Sequence, residues 1–434
     1  MKKNIVIILV GLCLLCFALF VQAAQNQPNP ENQNANPIIM MYAEDDWEDM
    51  QIITPVKHQR RLQENKKAHH EIENDPLSFY SDFKEAVDKM IGLQFGMDIS
   101  FMAQRLSPNG KQTAIQAIYY PYATWTLFKD KGFLGTAELN FNYNLVRYWG
   151  QEASVLQERG GIVNSINDYP TKDDTFSQMS FTHTWGGSLS WLSWTIGQFP
   201  IYNFDGTDYD ANEQTGLVNY VLAQNATQAY PSASLGAYIK ITPTENLTIA
   251  GGYQDAHNVS GNKIEFDTAF DGKYTGFASI SYSFNLFGKP GQYSALGYYQ
   301  PSVEEQEGYT WGWSLNSQQG LTEKLTIFNR INGISEQILP ISRSYVLGLA
   351  YKDPLNRNPL DVITFAAAYN QLSAQGLGNP PYNRAYEMAF EAQWVWGFSQ
   401  YLTITPDIQV YPNAGLNSEE EFVTVVSLRT TFMF

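Results

Sequence analysis

Residues 384–434 read RAYEMAFEAQWVWGFSQYLTITPDIQVYPNAGLNSEEEFVTVVSLRTTFMF and contain three runs in which apolar and polar side chains alternate. In the last run, one parity carries the apolar residues Phe422, Val426, Leu428, Phe432 and Phe434, and the other carries Val425, Ser427, Arg429, Thr431 and Met433. A period of two is typical of a β-strand, because successive side chains point to opposite faces of a sheet. Soluble β-sandwiches show the same alternation, so the fold depends on whether the rest of the chain repeats it.

Alternating segments recur from residue 92 onward, and the clearest lies at residues 135–146. Its polar parity carries Glu138, Asn140, Asn142 and Asn144. In the core of a soluble protein these side chains would be desolvated at a high cost, whereas a water-filled lumen would solvate them. Further candidate strands are residues 95–104, 113–128, 179–185, 192–199, 234–241, 247–254, 274–286, 293–300, 309–316, 325–331, 344–352 and 362–370. With the three closing runs the count is about 16, an even number typical of bacterial porins.

The composition supports a membrane barrel. Charged residues are only 16% of the 434 residues and aromatic residues are 14%, whereas charged residues are about 25% of a usual soluble chain. Beyond the N-terminus no apolar run reaches the ~20 residues that a membrane-spanning helix needs. We therefore predict an all-β fold, a transmembrane antiparallel β-barrel of about 16 strands over residues 92–434, with a large soluble β-protein as the alternative.

The N-terminus predicts export. Lys2 and Lys3 precede an apolar region, and Val21-Gln22-Ala23 approximates a cleavage site, so residues 1–23 are predicted to be a signal peptide, with an uncleaved anchor as the alternative. Cys13 and Cys16 are the two cysteines of the chain. Cleavage would leave a mature chain without a disulfide or a thiol nucleophile.

Residues 24–56 are predicted to be a flexible polar and acidic linker, and residues 57–91 a charged segment that ends in a short amphipathic helix. Three of the five histidines lie in the charged segment, but their spacing fits no common metal site, so we predict no bound metal. The helix, a periplasmic extension, should pack on the first strand or across a barrel mouth through one apolar stripe. A role at the membrane surface is less favoured because the polar face is acidic. The stripe comprises Phe79, Phe83, Val87 and Met90.

The alternation also predicts which side chains face the lumen. In the closing strands the apolar parity of Tyr386, Met388 and Phe390 should face lipid, and the polar parity should face inward. Each inward residue can contact solute or brace the wall, and the sequence favours neither role. The candidate pore-lining residues are Glu138, Asn140, Asn142, Asn144, Glu387, Glu391, Asp407, Gln409 and Arg429.

Three of these segments resemble a known family. RAYEMAFEA at residues 384–392, LTITPDIQ at 402–409 and the terminal Leu428-Arg429 with Phe434 resemble the C-terminal signature of OprB-type carbohydrate-selective porins. LTIAGGYQDA at residues 247–256 is similar to an internal segment of that family. The resemblance, over residues 95–434, implies a 16-stranded outer-membrane barrel that passes sugars passively and assembles as a homotrimer. The N-terminal Trp-Gly-Gly-Leu-Arg type of motif expected of the family is missing, and residues 78–90 stand in its place.

The expected function is therefore passive, carbohydrate-selective diffusion of small hydrophilic solutes through the bacterial outer membrane. The polar lumen offers hydrogen bonds to the hydroxyls of small neutral sugars, and Tyr and Trp faces can stack on sugar rings. The formal net charge of −16 disfavours anions and argues against nucleic acid as a partner. A general or cation-preferring porin, or an exporter or adhesin barrel, is the alternative.

An enzyme is the least favoured reading. The sequence has no Gly-x-Ser-x-Gly elbow and no P-loop, and only His183 and His257 lie in the barrel region. We predict no catalytic residues and no cofactor. The expected partners are small solutes, the lipid bilayer and the barrel-assembly machinery, which is expected to recognise the terminal Phe434.

The chain ends on an aromatic residue of an alternating strand, which resembles the signal read by barrel-assembly machinery. Deletion of Phe434 should therefore lower the amount of folded protein in the outer membrane. Quantitative immunoblotting of outer-membrane fractions measures this. Insertion at the level of the intact chain would contradict the assignment.

Overall fold

The computed structural model describes residues 77–107, 113–210, 214–358, 360–417 and 422–434. The predicted signal peptide at 1–23, the linker at 24–56 and the histidine-containing segment at 57–76 lie outside the described residues. None of the helices within the described ranges is long and apolar enough to cross a membrane.

The described chain forms 16 antiparallel strands that close into one barrel. Each strand pairs with its neighbours along the chain, and β1 closes the ring against β16, from Asp98↔Met433 to Ser107↔Thr424. The predicted strand number and barrel are confirmed. The strands are β1 Leu93–Ser107, β2 Thr113–Phe128, β3 Thr136–Gly150, β4 Asp173–Thr184, β5 Leu192–Phe199, β6 Ser234–Thr244, β7 Leu247–Asp255, β8 Tyr274–Leu286, β9 Lys289–Gln300, β10 Thr310–Gly320, β11 Leu325–Ile334, β12 Ile341–Lys352, β13 Val362–Leu372, β14 Tyr386–Ser399, β15 Leu402–Tyr411 and β16 Val423–Met433.

The two parities of each alternating segment face the inside and the outside of the barrel. On β14 the polar parity is buried within the barrel at Glu387 and Glu391, whereas Met388 and Phe390 on the apolar parity are part-exposed on the outer wall. The same arrangement holds on β16, where Arg429 is buried and Leu428 is exposed. The outer wall is therefore the apolar surface that meets lipid.

Both ends of the barrel chain meet at one rim. The N–H of Phe434 donates to the carbonyl of Met97 at 3.0 Å, and the Met97 N–H donates back to the Phe434 carbonyl at 3.1 Å. The Phe434 ring stacks on that of Phe432 at 6.3 Å. The terminal residue thus completes the β1–β16 seam. Its role as an assembly signal stays a prediction.

A helix precedes the barrel at this rim: α1, Ser78–Ile91. It lies against the start of β1, with Ser81 hydrogen-bonded to the Tyr401 hydroxyl at 2.9 Å and Gln94 donating to Asp88 at 2.9 Å. Of the predicted apolar stripe, Phe83 touches the Phe95 ring edge-on at 6.3 Å. Phe79 and Met90 of the stripe are exposed, and Val87 is part-buried. The hydrogen bonds to the barrel come instead from Ser81 and Asp88, on another face of the helix.

Two long connections fold into the barrel. Inner segment 1 (residues 151–172) joins β3 to β4 and contains α2, Ala153–Gly160. Inner segment 2 (residues 200–233) joins β5 to β6 and contains α3, Tyr220–Ala223, although the structure does not describe 211–213. Their apolar side chains pack together with inward-facing wall residues such as Val146, Val346 and Ala389: from segment 1 Leu156, Ile162 and Ile166, and from segment 2 Leu217, Val221 and Leu222.

The end of the first connection differs from the sequence prediction. The sequence predicts the fourth strand at residues 179–185, but β4 begins at Asp173. The β3–β4 pairing shifts register between Asn142 and Asn144, and this bulge hides the alternation. The Arg147 guanidinium ion-pairs with Asp174 across the two strands.

The inner wall has a tight contact that can be tested. Gly348 lies directly opposite Phe328, and a Cβ on Gly348 would come within 2.1 Å of the Phe328 ring. That ring is fully buried and Tyr209 stacks on it at 5.5 Å, so it has no free space to move into. Gly348→Ala should destabilise the barrel by about 1–3 kcal/mol through overpacking.

Urea unfolding of the refolded protein, followed by gel mobility without heating, measures this loss. Gly276→Ala is the matched control, because a Cβ there has no neighbour within 4 Å. Equal unfolding midpoints for the two variants would contradict the packing of Phe328 on Gly348.

Candidate functional site

The predicted pore-lining residues all lie on the inner wall, but they do not share one environment. The residues of the closing strands are covered by the inner segments. Glu138, near the start of β3 and far from the end that leads into inner segment 1, is part-exposed. Almost fully buried are Asn142, Asn144, Glu387, Glu391, Asp407, Gln409 and Arg429, with Asn140 only slightly more exposed.

Glu387 holds inner segment 1. Its carboxylate accepts the backbone N–H groups of Val163 at 2.9 Å and Asn164 at 2.8 Å, and that of Gly415 at 2.7 Å. Three charge-assisted hydrogen bonds offset much of the cost of burying the carboxylate, and they give the segment's backbone the partners that it lacks inside a barrel. Glu387 therefore fastens a connection against the wall.

Glu391, four residues further along the same inward parity, holds inner segment 2. It accepts the N–H groups of Val218 at 2.7 Å and Asn219 at 2.9 Å. The Asn219 amide then donates to Gln409 at 3.2 Å, and the Gln409 amide donates to the carbonyl of Ile166 in inner segment 1 at 3.0 Å. One strand, β14, thus anchors both segments, and β15 links them.

Asp407 and Arg429 complete this part of the wall. Asp407 lies opposite Gln393 on β14 and Ser427 on β16. The Arg429 guanidinium donates to the Gly216 carbonyl of inner segment 2 at 2.8 Å. Through Arg429, β16 therefore also contacts the backbone of inner segment 2.

Inner segment 2 is also bound to the opposite wall of the barrel. Asp205 accepts hydrogen bonds from Ser314 and Asn316 of β10, both at 2.7 Å. Arg330 of β11 forms a fully buried ion pair with Asp210 at 3.2 Å and donates to the Asp210 carbonyl at 2.8 Å. The segment therefore spans the lumen from β10–β11 to β14–β16 and narrows the passage.

The residues of this second anchor were not among the predicted sites. Asp205 and Asp210 lie in a stretch without periodicity, which the sequence identifies only as a long loop. Arg330 did carry a signal, since it is a single cation on the inward parity of a predicted strand at 325–331. Its partner could not be found, because the pairing spans more than 100 residues of sequence.

Glu138 belongs to a different part of the wall. The strand register sets Glu138 beside Thr182, Thr182 beside Thr195 and Thr195 beside Tyr238, which forms one polar row across β3–β6. Thr182 and Thr195 hydrogen-bond to each other at 2.9 Å. Next to this row, Asn140 accepts a hydrogen bond from Thr124 at 3.0 Å.

The inner segments themselves present polar and aromatic groups that remain part-exposed: Tyr202, Tyr220, Asp168 and Gln224. The Gln224 amide donates to Asp168 at 3.2 Å. Burial raises the pKa of the Asp168 carboxyl to about 7, and the nearby Asp173 charge raises it further. The hydrogen bond from Gln224 and the charge of Arg330 act in the opposite direction and lower this pKa. Burial, and next to it the Asp168 charge, raises the pKa of the Tyr202 and Tyr220 hydroxyls, so both remain hydrogen-bond donors at neutral pH.

A closed barrel with an apolar outer wall, a polar inner wall and connections folded into the lumen defines an outer-membrane porin. The chain belongs to the OprB family, since the family model described as "Carbohydrate-selective porin, OprB family" matches residues 157–434. It is a multi-pass β-barrel of the bacterial outer membrane through which small solutes pass. The relationship indicates a channel rather than an enzyme.

Individual relatives agree with this assignment. The chain is 34% identical over 357 residues to porin AaxA of Chlamydia pneumoniae, covering 80% of this chain and 81% of the relative. It is 32% identical over 370 residues to porin AaxA of Chlamydia trachomatis serovar D, covering 80% and 79%. The high-pH structure of Pseudomonas putida OprB matches with a TM-score of 0.67 at 14% identity, over 82% of this chain and 97% of that chain, and supports the fold alone.

Removal of one carboxylate should loosen one inner segment. In Glu391→Ala, the buried N–H groups of Val218 and Asn219 lose their acceptor, and an unsatisfied buried donor costs about 1–3 kcal/mol. Inner segment 2 should then leave the wall part of the time, so single-channel conductance in planar bilayers should rise and fluctuate between levels.

Glu245→Ala is the control for this measurement, because it removes the same charge at the exposed β6–β7 turn. It should leave the conductance level and its noise unchanged. A Glu391→Ala channel indistinguishable from this control would contradict the anchoring role.

Proposed function

We propose that this porin passes small neutral sugars, and cations more readily than anions, through the water-exposed part of the lumen beside the inner segments. The observation that carries the proposal is the group of part-exposed Tyr202, Tyr220, Asp168 and Gln224 on those segments. Phenol and amide groups can donate to and accept from sugar hydroxyls, and tyrosine rings can stack on a pyranose face. Such contacts are weak enough individually for a solute to leave again.

The pore-lining candidates divide into two groups in this proposal. Glu138 touches solute, because it is part-exposed on the inner wall and close enough to Lys240 to feel its charge, whereas the neighbouring Asn140 is buried and braces the wall through Thr124. Glu387, Glu391, Gln409 and Arg429 set the width of the passage by fixing the segments, and Asp407 supports Gln409 within the wall. Asn144 belongs with this second group, since it donates to the Tyr169 hydroxyl of inner segment 1 at 2.7 Å, whereas Asn142 braces the wall by donating to Gln178 of β4 at 3.2 Å.

Absence of catalysis is part of the proposal. His183 contacts the Leu134 carbonyl at 2.7 Å and packs among Phe128, Trp185 and Trp194. His257 lies beside Asp255 at 2.9 Å. Among the described residues no serine hydroxyl hydrogen-bonds to either ring, so neither histidine forms a serine-hydrolase triad there.

We also propose roles for the residues that precede the barrel and an oligomeric state. We retain residues 1–23 as a signal peptide, 24–56 as a linker and 57–91 as a charged segment with a helix. A homotrimer, and recognition of Phe434 by barrel-assembly machinery, complete the proposed arrangement.

Osmotic swelling of liposomes containing the purified protein tests the solute class. Monosaccharides should enter faster than disaccharides, and glucose should reduce ion conductance in a saturable manner, because it occupies the narrowed passage. Permeation by ions without any saturable effect of sugar would leave a general porin. No permeation by either would overturn the proposal.

Asp168 gives the channel a predicted pH dependence. A carboxyl with a pKa of about 7 is mostly neutral at pH 6 and mostly ionised at pH 8. The ratio of K⁺ to Cl⁻ permeability, taken from reversal potentials, should therefore exceed one and rise roughly two-fold across this range.

In Asp168→Asn the rise should largely disappear, whereas Glu245→Gln at the exposed turn should keep it. A ratio in Asp168→Asn that still rises as in the unmodified protein would show that Asp168 does not face the permeation path.

A further inference from the structure

Helix α1 leaves most of its apolar stripe uncovered by the described part of the chain. Phe79 is 71% exposed, Met90 74% and Phe83 56%. With Ala86, which is also exposed, they fall at i, i+4, i+7 and i+11 and form one continuous ridge. An exposed aromatic ridge of this kind indicates a binding surface.

The helix cannot rotate to bury this ridge against the barrel. Gly92 ends it in the left-handed conformation, with φ 73°, and a Cβ there would lie 2.4 Å from the Thr126 carbonyl oxygen. The Thr126 N–H donates to the Gly92 carbonyl at 2.8 Å. Together with the Ser81–Tyr401 hydrogen bond near the other end, this fixes which face of α1 meets the barrel.

The ridge continues the lipid-facing wall. Phe83 meets Phe95, which lies on the outer parity of β1 with Met97, Ile99 and Phe101. The Trp125 indole, 44% exposed on the outer wall, donates to the Ile91 carbonyl at the end of the helix at 2.9 Å. Tryptophan is enriched where a membrane protein crosses the headgroup region, so α1 lies at that level.

The remaining side chains suit an interfacial position. Asp82, Glu85 and Lys89 are exposed along one flank of the ridge, and Glu85 pairs with Lys89. The Lys84 ammonium lies over two aromatic rings, 5.3 Å from that of Tyr80 and 5.7 Å from that of Phe95, so this charge is held between the helix and the barrel by cation–π contacts. The helix carries three acids and two lysines, so attraction to anionic lipid contributes little.

We propose that α1 is an interfacial anchor whose ridge of Phe79, Phe83, Ala86 and Met90 inserts into the phospholipid leaflet at the rim that bears Phe434. The occupant is the acyl-chain boundary of the bilayer. The barrel holds the helix in place, so the ridge needs no electrostatic recruitment to reach lipid. The anchor extends the lipid-facing surface beyond the strands and fixes the depth of this rim.

Nitroxide labels on the full-length chain test this. Single cysteines replace Phe79 or Met90 on the ridge, Asp82 or Glu85 on the polar side, and Leu347 as a lipid-facing control on the outer wall, in a Cys13→Ser, Cys16→Ser background. The proteins are refolded into dioleoylphosphatidylcholine vesicles, and a heat-dependent gel shift verifies each barrel. Power saturation then compares collision with oxygen and with a water-soluble nickel chelate.

Labels at 79 and 90 should collide with oxygen in preference to nickel, as at 347, and labels at 82 and 85 should show the opposite preference. The result should be the same when anionic lipid is added. Water-like accessibility at 79 and 90 would overturn the proposal. Shielding of both labels from both reagents would overturn it as well, and would show that the upstream segment or a second copy covers the ridge.

Discussion

Backbone N–H and carbonyl groups that leave water must find partners within the protein, and this requirement explains both the wall and the contents of the barrel. The wall satisfies it by closing β1 on β16, so that the described strands leave no free edge. The two inner segments enter the barrel largely without strand pairing. Their backbone groups are satisfied instead by side chains of the wall, of which Glu387 and Glu391 supply the acceptors for four N–H groups of the segments.

Glu387 and Glu391 can hold both inner segments because of where they lie on β14. They lie four residues apart on the inward parity of β14, one above the other, so a single strand holds both connections. On the far side, Asp205 and the Arg330–Asp210 pair attach inner segment 2 to β10 and β11. The net stability gained from a buried ion pair is small, because desolvation offsets the Coulombic attraction, but loss of one partner would leave a buried charge unpaired. In this porin the attached segment leaves a narrowed passage, which determines what a polar lumen admits.

Much of the wall could be predicted because its physics is local. Lipid on one side and water on the other impose a period of two, and β2, β5 and β8 have the bounds that the alternation predicts. The inner segments could not be predicted in this way. Residues 200–233 have no period, and the partners of Val218 and Asn219 lie more than 170 residues away. The sequence identifies Glu391 as an inward carboxylate, but whether it meets solute or a backbone depends on that distant segment. Similarly, the stripe of α1 is visible in the sequence, whereas the face that meets the barrel is set by the turn at Gly92.

The central claim is that both inner segments remain docked on β14 in the membrane. Amide hydrogen exchange of the protein in lipid vesicles, resolved at Val163, Asn164, Val218 and Asn219, tests it most directly, because their N–H groups donate to Glu387 and Glu391. These four amides should exchange as slowly as those of the neighbouring strands. Exchange as fast as that of the exposed loop residues Phe266, Asp267 and Phe270 would contradict the account, since it would show that the segments do not stay in the lumen.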